Sequence, residues 1–385
     1  MKEDPTIPFG RPWITDEERN AVQEVLQGHI LTHGTKCKEF EAKFASYIGD
    51  GGHCLTTSSC MSALHLAYIQ MGIGPGDEVI VPAQTHTATA HAVELVGARP
   101  VFVDCDLQTG NMDCDKIEPL ITENTKAIGL VHFLGIPCDM DHILRIAERN
   151  QLKIVEDCAL AIGSRYKGKH VGLFGDVGCF SFYPVKHITT GEGGMFVTKY
   201  SGIAERVSKL RAFGVDRSHS ERTTPGQYDV NLLGMNSRMS EMQAALGCEQ
   251  MDKIDQILKL RSSNFTRLKA SLSDIKGILI LDADHPNKTS SHYCLSVILH
   301  DNLKDYRDNI IRGLNKAGVG TSIYYPHPVS QLTYYKNKYG YQAECFPNAQ
   351  TISDRSIALP VGPHVGPTDI QYITETFKNI VGDLT

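Results

Sequence analysis

Short apolar runs alternate with helix-like segments through the first half of the chain. The runs that read as buried strands are Val79–Pro82, Pro100–Val103, Ala127–Val131 and Leu152–Val155. The segments between them with helical spacing of apolar positions are Ser59–Gln70, Thr87–Val96, Asp115–Ile121 and Met140–Asn150. Because parallel strands need a crossover between them, usually a helix, this rhythm predicts an α/β fold with a mostly parallel central sheet flanked by helices.

The pattern changes after Gly194. The later segments with helical spacing are Ala204–Ala212, Ser240–Leu260, Leu303–Ala317 and Asp369–Val381. The later segments that read as strands are Tyr293–Leu299 and Gly320–Tyr324. We therefore predict a large domain over residues 1–250 and a smaller C-terminal α+β domain over residues 251–385.

Composition and charge exclude several classes of protein. The 385 residues are 41% hydrophobic and 21% charged, as in ordinary globular proteins. The net charge of -6, with scattered Lys and Arg, argues against nucleic acid and membrane-surface partners. No signal peptide or membrane-spanning stretch is evident, so the 11 cysteines indicate reduced thiols in a cytoplasmic protein. No C-x-x-C pair or H-E-x-x-H motif suggests a metal site.

The stretch I-V-E-D-C-A places Asp157 at the end of a predicted strand. The carboxyl ends of parallel strands are where α/β folds bind ligands, so this carboxylate could hold a positive charge there. It could equally cap a following helix.

The stretch S-F-Y-P-V-K-H-I-T-T-G-E-G-G places Lys186 between a strand pattern and a glycine-rich turn. A lysine beside a core strand can lose solvent, which lowers its pKa and yields a nucleophilic amine. The alternative is an ordinary solvated lysine.

The stretch C-L-T-T-S-S-C-M-S-A-L-H places hydroxyl groups where a strand gives way to a helix. Free N–H groups and the helix dipole favour an anion at such a point, although Ser59 could simply cap the helix. Together the three stretches offer a phosphate cradle, an acid and an amine. Pyridoxal phosphate (PLP) needs those three partners for its phosphate, ring nitrogen and aldehyde.

The ordered set of motifs resembles the DegT/DnrJ/EryC1/StrS family of sugar aminotransferases over nearly the whole chain. The motifs include G-P-G-D-E-V-I-V-P, T-K-A-I-G-L-V-H, V-E-D-C-A, G-D-V-G-C-F-S-F-Y-P-V-K and L-G-M-N-S-R-M-S-E-M-Q-A-A-L-G. The resemblance implies the PLP-dependent transferase type I fold. It also implies a homodimer whose active sites are shared between subunits.

The resemblance assigns roles to individual positions. Lys186 matches the Schiff-base lysine, and Asp157 matches the partner of the ring nitrogen. The other positions matched to cofactor binding are Ser181, the turn Ser58, Ser59, Cys60 and Met61, the stacking position His86, and Asn236, which reaches the phosphate from the partner subunit. The positions matched to substrate contacts are His187, Arg238 and His327.

Two positions depart from the family pattern. Cys60 and Met61 stand where a Gly-Thr pair is common, so one hydroxyl is lost. Leu160 stands where many members have a Gln near the phenolic oxygen of the cofactor. A branch of the family replaces the lysine by histidine and dehydrates its substrate. Lys186 at that position favours amino transfer, and His187 after it could be a local hydrogen-bond partner.

The activity implied is transfer of an amino group, from L-glutamate, to a keto or aldehyde sugar. The implied acceptor is a nucleotide-linked keto-deoxy sugar, in amino-sugar or surface-polysaccharide (lipopolysaccharide) biosynthesis. A keto sugar acid without a nucleotide, such as 8-oxo-3,8-dideoxy-octulosonate, is the first alternative. A sugar dehydratase and a non-catalytic regulatory relative are the others.

Overall fold

The computed structural model describes residues 6–216, 224, 227–282 and 285–384, so the outer ends of both predicted domains lie outside it. Its helices are α1 (Asp16–Gln27), α2 (Lys36–Ile48), α3 (Cys60–Gln70), α4 (Thr87–Leu95), α5 (Met140–Arg149), α6 (Ser201–Leu210), α7 (Glu241–Asp252), α8 (Ile254–Leu272), α9 (Arg307–Lys316), α10 (Thr333–Tyr339), α11 (Pro347–Arg355) and α12 (Pro367–Gly382). Within these ranges, none of the helices combines the length and apolar character needed to cross a bilayer.

The strands form three sheets. They are β1 (His53–Thr57), β2 (Glu78–Pro82), β3 (Arg99–Val103), β4 (Thr125–Val131), β5 (Lys153–Asp157), β6 (Arg165–Tyr166), β7 (Lys169–His170), β8 (Val177–Ser181), β9 (Gly194–Thr198), β10 (Ile278–Ile280), β11 (Lys288–Thr289), β12 (Leu295–Leu299) and β13 (Ser356–Leu359). The large sheet has the order β1-β9-β8-β5-β4-β2-β3, with β9 antiparallel to both of its neighbours. The prediction of a mostly parallel α/β sheet is therefore confirmed.

Continuous apolar runs explain why the sheet is covered on both faces. The strands β2 and β9 are buried at every position, as expected when helices lie above and below. Helices α3 and α4 pack against each other, and α3 packs on β8 and β9. This packing brings the amino ends of α3 and α4 to the edge where the parallel strands end.

A second sheet, β10-β12-β13, lies after residue 250 with α8, α9 and α12 against it. Its core also contains Ile7, whose backbone pairs with Val319. Strand β11 pairs with β6 of the first half of the chain. The two-domain division at residue 250 stays a prediction, because chain segments from either side of it share these contacts.

Two predicted elements are wrong, and the single predicted helical segment Ser240–Leu260 is divided at Lys253 into α7 and α8. Residues 115–121 form two short 3-10 turns, Cys114–Lys116 and Glu118–Leu120, rather than one helix. Pro119 lacks the N–H that a continuous helix would use. Residues 320–324 make only an isolated bridge at Ser322 rather than a strand, since Gly320 donates its N–H to the carbonyl of Ile7.

Candidate active site

Asp157 is the last residue of β5, and its carboxylate lies in the crevice at the carboxyl end of the sheet. Only 4% of the residue is exposed. Oδ1 accepts from the backbone N–H of Ala159 at 3.0 Å, and Oδ2 accepts from the hydroxyl of Thr89 at 2.8 Å. No helix begins in residues 158–164, so the helix-capping interpretation of this acid is wrong.

The Cys60 thiol is a third partner of this carboxylate. Its Sγ lies 3.9 Å from Oδ1 of Asp157. Burial raises the pKa of Cys60 well above its usual range, and the neighbouring Asp157 carboxylate acts in the same direction. The thiol therefore stays protonated and donates to the carboxylate.

Lys186 lies in the turn after β8, with its Nζ 5.5 Å from the ring centroid of Tyr293. Burial lowers the pKa of its ammonium, whereas Cys60 and the Asp157 carboxylate act in the opposite direction. These interactions place the amine and the carboxylate in one shared environment. This environment favours the prediction of a positioned amine over that of an ordinary solvated lysine, and the role of Lys186 stays a prediction.

The start of α3 carries a cluster of three hydroxyl groups. Ser59 caps the helix by accepting the backbone N–H of Ser62 at 3.1 Å. The hydroxyl of Ser62 in turn lies 2.8 Å from that of Ser58 and 3.1 Å from that of Ser59. Capping and anion binding are compatible here, since the cap uses one N–H and leaves the N–H groups of Cys60 and Met61 at the helix start.

The register of the sheet brings Ser181 to the same place. Ser181, the last residue of β8, pairs with Gly194 of β9, which pairs with Thr57 of β1. Thr57 directly precedes the hydroxyl cluster. A Cβ atom on Gly194 would overlap the backbone of Ser59 and Cys60, so only glycine allows β9 to approach this closely.

His86 lies at the amino end of α4, where its Nδ1 accepts the N–H of Ala88 at 3.2 Å. Its ring meets that of Tyr325 edge to face, at 5.6 Å between centroids. Desolvation and the charge of Lys186 lower the pKa of His86, which keeps the ring neutral. An exposed neutral ring on the rim of the crevice suits the predicted stacking role, which stays a prediction.

The segment that contains Asn236 and Arg238 lies beside the hydroxyl cluster. The carbonyl of Ser237 accepts the N–H of Ser58 at 2.8 Å. Asn236 is exposed, and the Arg238 guanidinium lies 4.8 Å above the ring of Phe213. Within the described part of the chain, the buried Nε of Arg238 has no hydrogen-bond partner.

The other two predicted substrate contacts differ in their surroundings. His187 is 5% exposed, and its Nε2 donates to the carbonyl of Ser291 at 3.1 Å. Burial lowers the pKa of this imidazole well below its usual range. These contacts favour the interpretation of His187 as a local hydrogen-bond partner. His327 is exposed, two residues after Tyr325.

A second cluster of ionisable groups surrounds Glu156, the residue before Asp157 in β5. Ligand atoms of His132, Glu156 and Cys158 lie within 4.8 Å of one another. Glu156 accepts from His132 at 3.0 Å and from the N–H groups of Gly172, Phe174 and Gly175. Four donors occupy its oxygens, so this carboxylate fixes the loop before β8.

Sequence reasoning missed four residues of the site: Thr89, Ser62, Tyr293 and Tyr325. Thr89 bears a hydroxyl in the first turn of a helix, and nothing in the sequence places it beside the distant Asp157. Ser62 lies three and four residues after its partners Ser59 and Ser58, a spacing that was visible in the sequence. Tyr325 lies in the aromatic segment Y-Y-P-H-P, which was a further available signal.

Comparisons with known proteins find similarity over nearly the whole chain. The model of the DegT/DnrJ/EryC1/StrS aminotransferase family matches residues 12–378. The chain is 35% identical to the GDP-perosamine synthase of Escherichia coli O157:H7 over 381 residues, which cover 98% of this chain and 99% of that protein. It is 33% identical over 386 residues to the UDP-4-amino-4-deoxy-L-arabinose–oxoglutarate aminotransferase of Shewanella sediminis, with 98% of each chain covered.

A solved structure matches the whole fold. Spr1654 of Streptococcus pneumoniae, a provisionally assigned sugar aminotransferase, aligns in its PMP form with a TM-score of 0.93 and 31% identity. The alignment covers 98% of this chain and 100% of that one. The PLP form of the same protein aligns with a TM-score of 0.92.

Proposed function

Because the chain belongs to the DegT/DnrJ/EryC1/StrS aminotransferase family, we propose that it moves an amino group from L-glutamate to a nucleotide-linked keto-deoxy sugar. The protein is a PLP-dependent aminotransferase with a sugar acceptor. The observation that carries the proposal is that the Asp157 carboxylate contacts Cys60 at the start of α3, 3.9 Å from its Sγ, and that Lys186 interacts electrostatically with both.

The donor set of the crevice fits the cofactor. Asp157 supplies an acceptor for the ring nitrogen, Lys186 an amine for the aldehyde, and the hydroxyls of Ser58, Ser59 and Ser181 surround a helix start suited to the phosphate. When bound, PLP supplies a carbonyl group that takes up amines and a ring that withdraws electrons from them.

Lys186 would both hold the cofactor and move protons. Because burial lowers the pKa of its ammonium, a larger share of the side chain is the neutral amine at neutral pH. A neutral Nζ can attack a carbonyl carbon, and once released it can take a proton from the substrate carbon and return it.

Asp157 would keep a proton on the ring nitrogen. An anionic oxygen beside that nitrogen favours its protonated, positively charged form, which strengthens the electron withdrawal of the ring. The hydrogen bonds from Thr89 and Ala159 fix the carboxylate for this task.

The names of the two curated relatives support the choice of substrates. One is named for a GDP-linked and the other for a UDP-linked sugar, which supports a nucleotide-linked acceptor. The second name also includes oxoglutarate, the keto acid that L-glutamate becomes when it loses its amino group. We place the reaction in amino-sugar biosynthesis that feeds a surface polysaccharide such as lipopolysaccharide.

We also propose a homodimer. Among the described residues, the exposed apolar side chains in the segments around Asn236 and its bridge partner Ala212 include Phe213, Tyr228, Val230 and Leu233, and Leu233 is 95% exposed. An apolar patch beside a cofactor site is best covered by a second copy of the chain, which would bring its own Asn236 to that site. All 11 cysteines are free, which supports a reducing, cytoplasmic location.

The function is tested with 15N-labelled glutamate and a panel of keto sugars, read out by mass spectrometry. The panel contains UDP- and GDP-linked 4-keto-6-deoxy sugars and 8-oxo-3,8-dideoxy-octulosonate, and Lys186→Ala is the inactive control. We expect label in a nucleotide-linked amino sugar. Label only in the octulosonate, or loss of a hydroxyl without label, would contradict the proposed substrate or reaction.

A further inference from the structure

Two threonines on the amino-terminal side of α4 form a short hydrogen-bonded chain that ends on Asp157. The hydroxyl oxygens of Thr85 and Thr89 lie 2.8 Å apart. The hydroxyl of Thr89 lies 2.8 Å from Oδ2 of Asp157. Thr89 is 0% exposed and Thr85 is also buried, so water does not compete for these groups.

The direction of the chain follows from the chemistry of its end. An ionised carboxylate only accepts hydrogen bonds, so the single hydroxyl hydrogen of Thr89 must go to Asp157. The oxygen of Thr89 is then free to accept, and the hydrogen between the two threonines comes from Thr85. Each hydroxyl therefore has one defined orientation.

Protein donors occupy most of the hydrogen-bond acceptor positions of the Asp157 carboxylate. A carboxylate offers about four acceptor positions on its two oxygens. Ala159 and Cys60 donate to Oδ1, and Thr89 donates to Oδ2. About one position is left for a further donor. Without Thr89, Oδ2 would keep no protein donor among the described residues, and the carboxylate could rotate about its Cβ–Cγ bond.

We propose that Thr89 is a positioning residue that, oriented by Thr85, fixes Asp157 so that its remaining acceptor position meets the ring nitrogen of the cofactor. This inference rests on the proposed role of Asp157. The alternative is that Thr89 only packs α4 against the sheet, in which case its hydroxyl is dispensable and its volume is not.

The test compares affinities for two ring systems. Apoenzyme variants are titrated with PLP and with 1-deaza-PLP, in which a carbon replaces the ring nitrogen, so that the analogue cannot use Asp157. For Thr89→Val we expect about tenfold weaker PLP binding, the size of one lost hydrogen bond to a charged group, and an unchanged affinity for the analogue. Thr89→Ser restores the hydroxyl and should bind both within about twofold of wild type.

Two further variants test whether the effect is specific to the hydrogen-bonded chain from Thr85 to Asp157. Thr198→Val removes another buried hydroxyl, which donates to the carbonyl of Asp176 at 2.8 Å, and should leave the ratio of the two affinities unchanged. Thr85→Val should lower PLP affinity less than Thr89→Val, since it removes only the orienting donor. In assays of the loaded enzyme, Thr89→Val should lower kcat more than it changes KM for the sugar.

Equal loss of affinity for both ring systems in Thr89→Val would overturn the inference in favour of packing. Full PLP affinity in that variant would overturn it as well. Failure of the proposed role of Asp157 is a separate result, because it would appear in the wild-type protein as no discrimination between PLP and its deaza analogue. Failure of the proposed function is distinct from both, because it would appear as no transfer of 15N from glutamate to a sugar.

Discussion

Glu156 and Asp157 are neighbours on β5, and the alternation of side chains along a strand sends them to opposite faces of the sheet. Glu156 is bound by His132 and three backbone N–H groups, so it serves the fold. Asp157 is bound by Thr89, Ala159 and Cys60 on the face that also holds Lys186. One acid therefore stabilises a loop while the other remains available for chemistry.

Asp157→Asn should separate these two tasks. The amide keeps the shape of the side chain but loses the charge that, in the proposed role, would hold a proton on the ring nitrogen. We expect kcat to fall by about a hundredfold or more, with an unfolding midpoint close to wild type. Steady-state kinetics and thermal unfolding measure the two effects, and near-normal turnover would show that the ring nitrogen has another partner.

Glu156→Gln should lower the stability of the fold rather than turnover. Desolvation raises the pKa of Glu156, but the bonds from His132 and from the backbone of Gly172 and Gly175 outweigh it, so the folded-state pKa lies below the ordinary value of a glutamate. A lowered pKa stabilises the fold above the unfolded-state value, and this contribution is lost as the pH falls through the folded-state value. We expect Glu156→Gln to reduce the free energy of unfolding at pH 7 by about 1–3 kcal/mol and to flatten its decline in acid. If the free energy of unfolding of Glu156→Gln equalled that of wild type from acidic pH to pH 7, the assignment of Glu156 to the stability of the fold would be contradicted.

At the scale of elements, apolar periodicity was sufficient to predict the parallel strands and their crossover helices, because burial on both faces leaves continuous apolar runs. It failed at residues 115–121 and 320–324, where Pro119 and a backbone bond from Gly320 to Ile7 override the local pattern. Lys186 and Asp157 could be proposed for the site because they lie in distinctive motifs, and their roles stay predictions. Thr89 was not, since its acceptor is 68 positions away in the chain.

The contact between β9 and the start of α3 gives a prediction at this scale. In Gly194→Ala, the added methyl group would push on the backbone of Ser59 and Cys60. We expect a lower unfolding midpoint and weaker binding of PLP, because the phosphate cradle must shift. Gly202→Ala in α6 is the matched control, since a Cβ there meets no atom within 4 Å, and it should be neutral or stabilising by up to about 1 kcal/mol. Equal behaviour of the two variants would contradict the close packing.

At the scale of the whole molecule, Asn236 and the apolar side chain of Leu233 are both exposed, as expected if a second subunit covers them. If the partner subunit completes each site, Lys186 and Asn236 of one working site come from different chains. Mixing the inactive variants Lys186→Ala and Asn236→Ala should then restore activity. Random reassortment of dimers predicts roughly a quarter of the wild-type value.

Sedimentation of each variant is the control for this mixing experiment, because both must remain dimeric. An active monomer, or a mixture that stays inactive although hybrids form, would contradict shared sites.

The most direct test of the central claim is to load the purified protein with PLP, reduce it with borohydride and map the labelled peptide. The account predicts a single label on Lys186, and none in the Lys186→Ala variant. A label on another lysine, or no retained label in the wild-type protein, would contradict it.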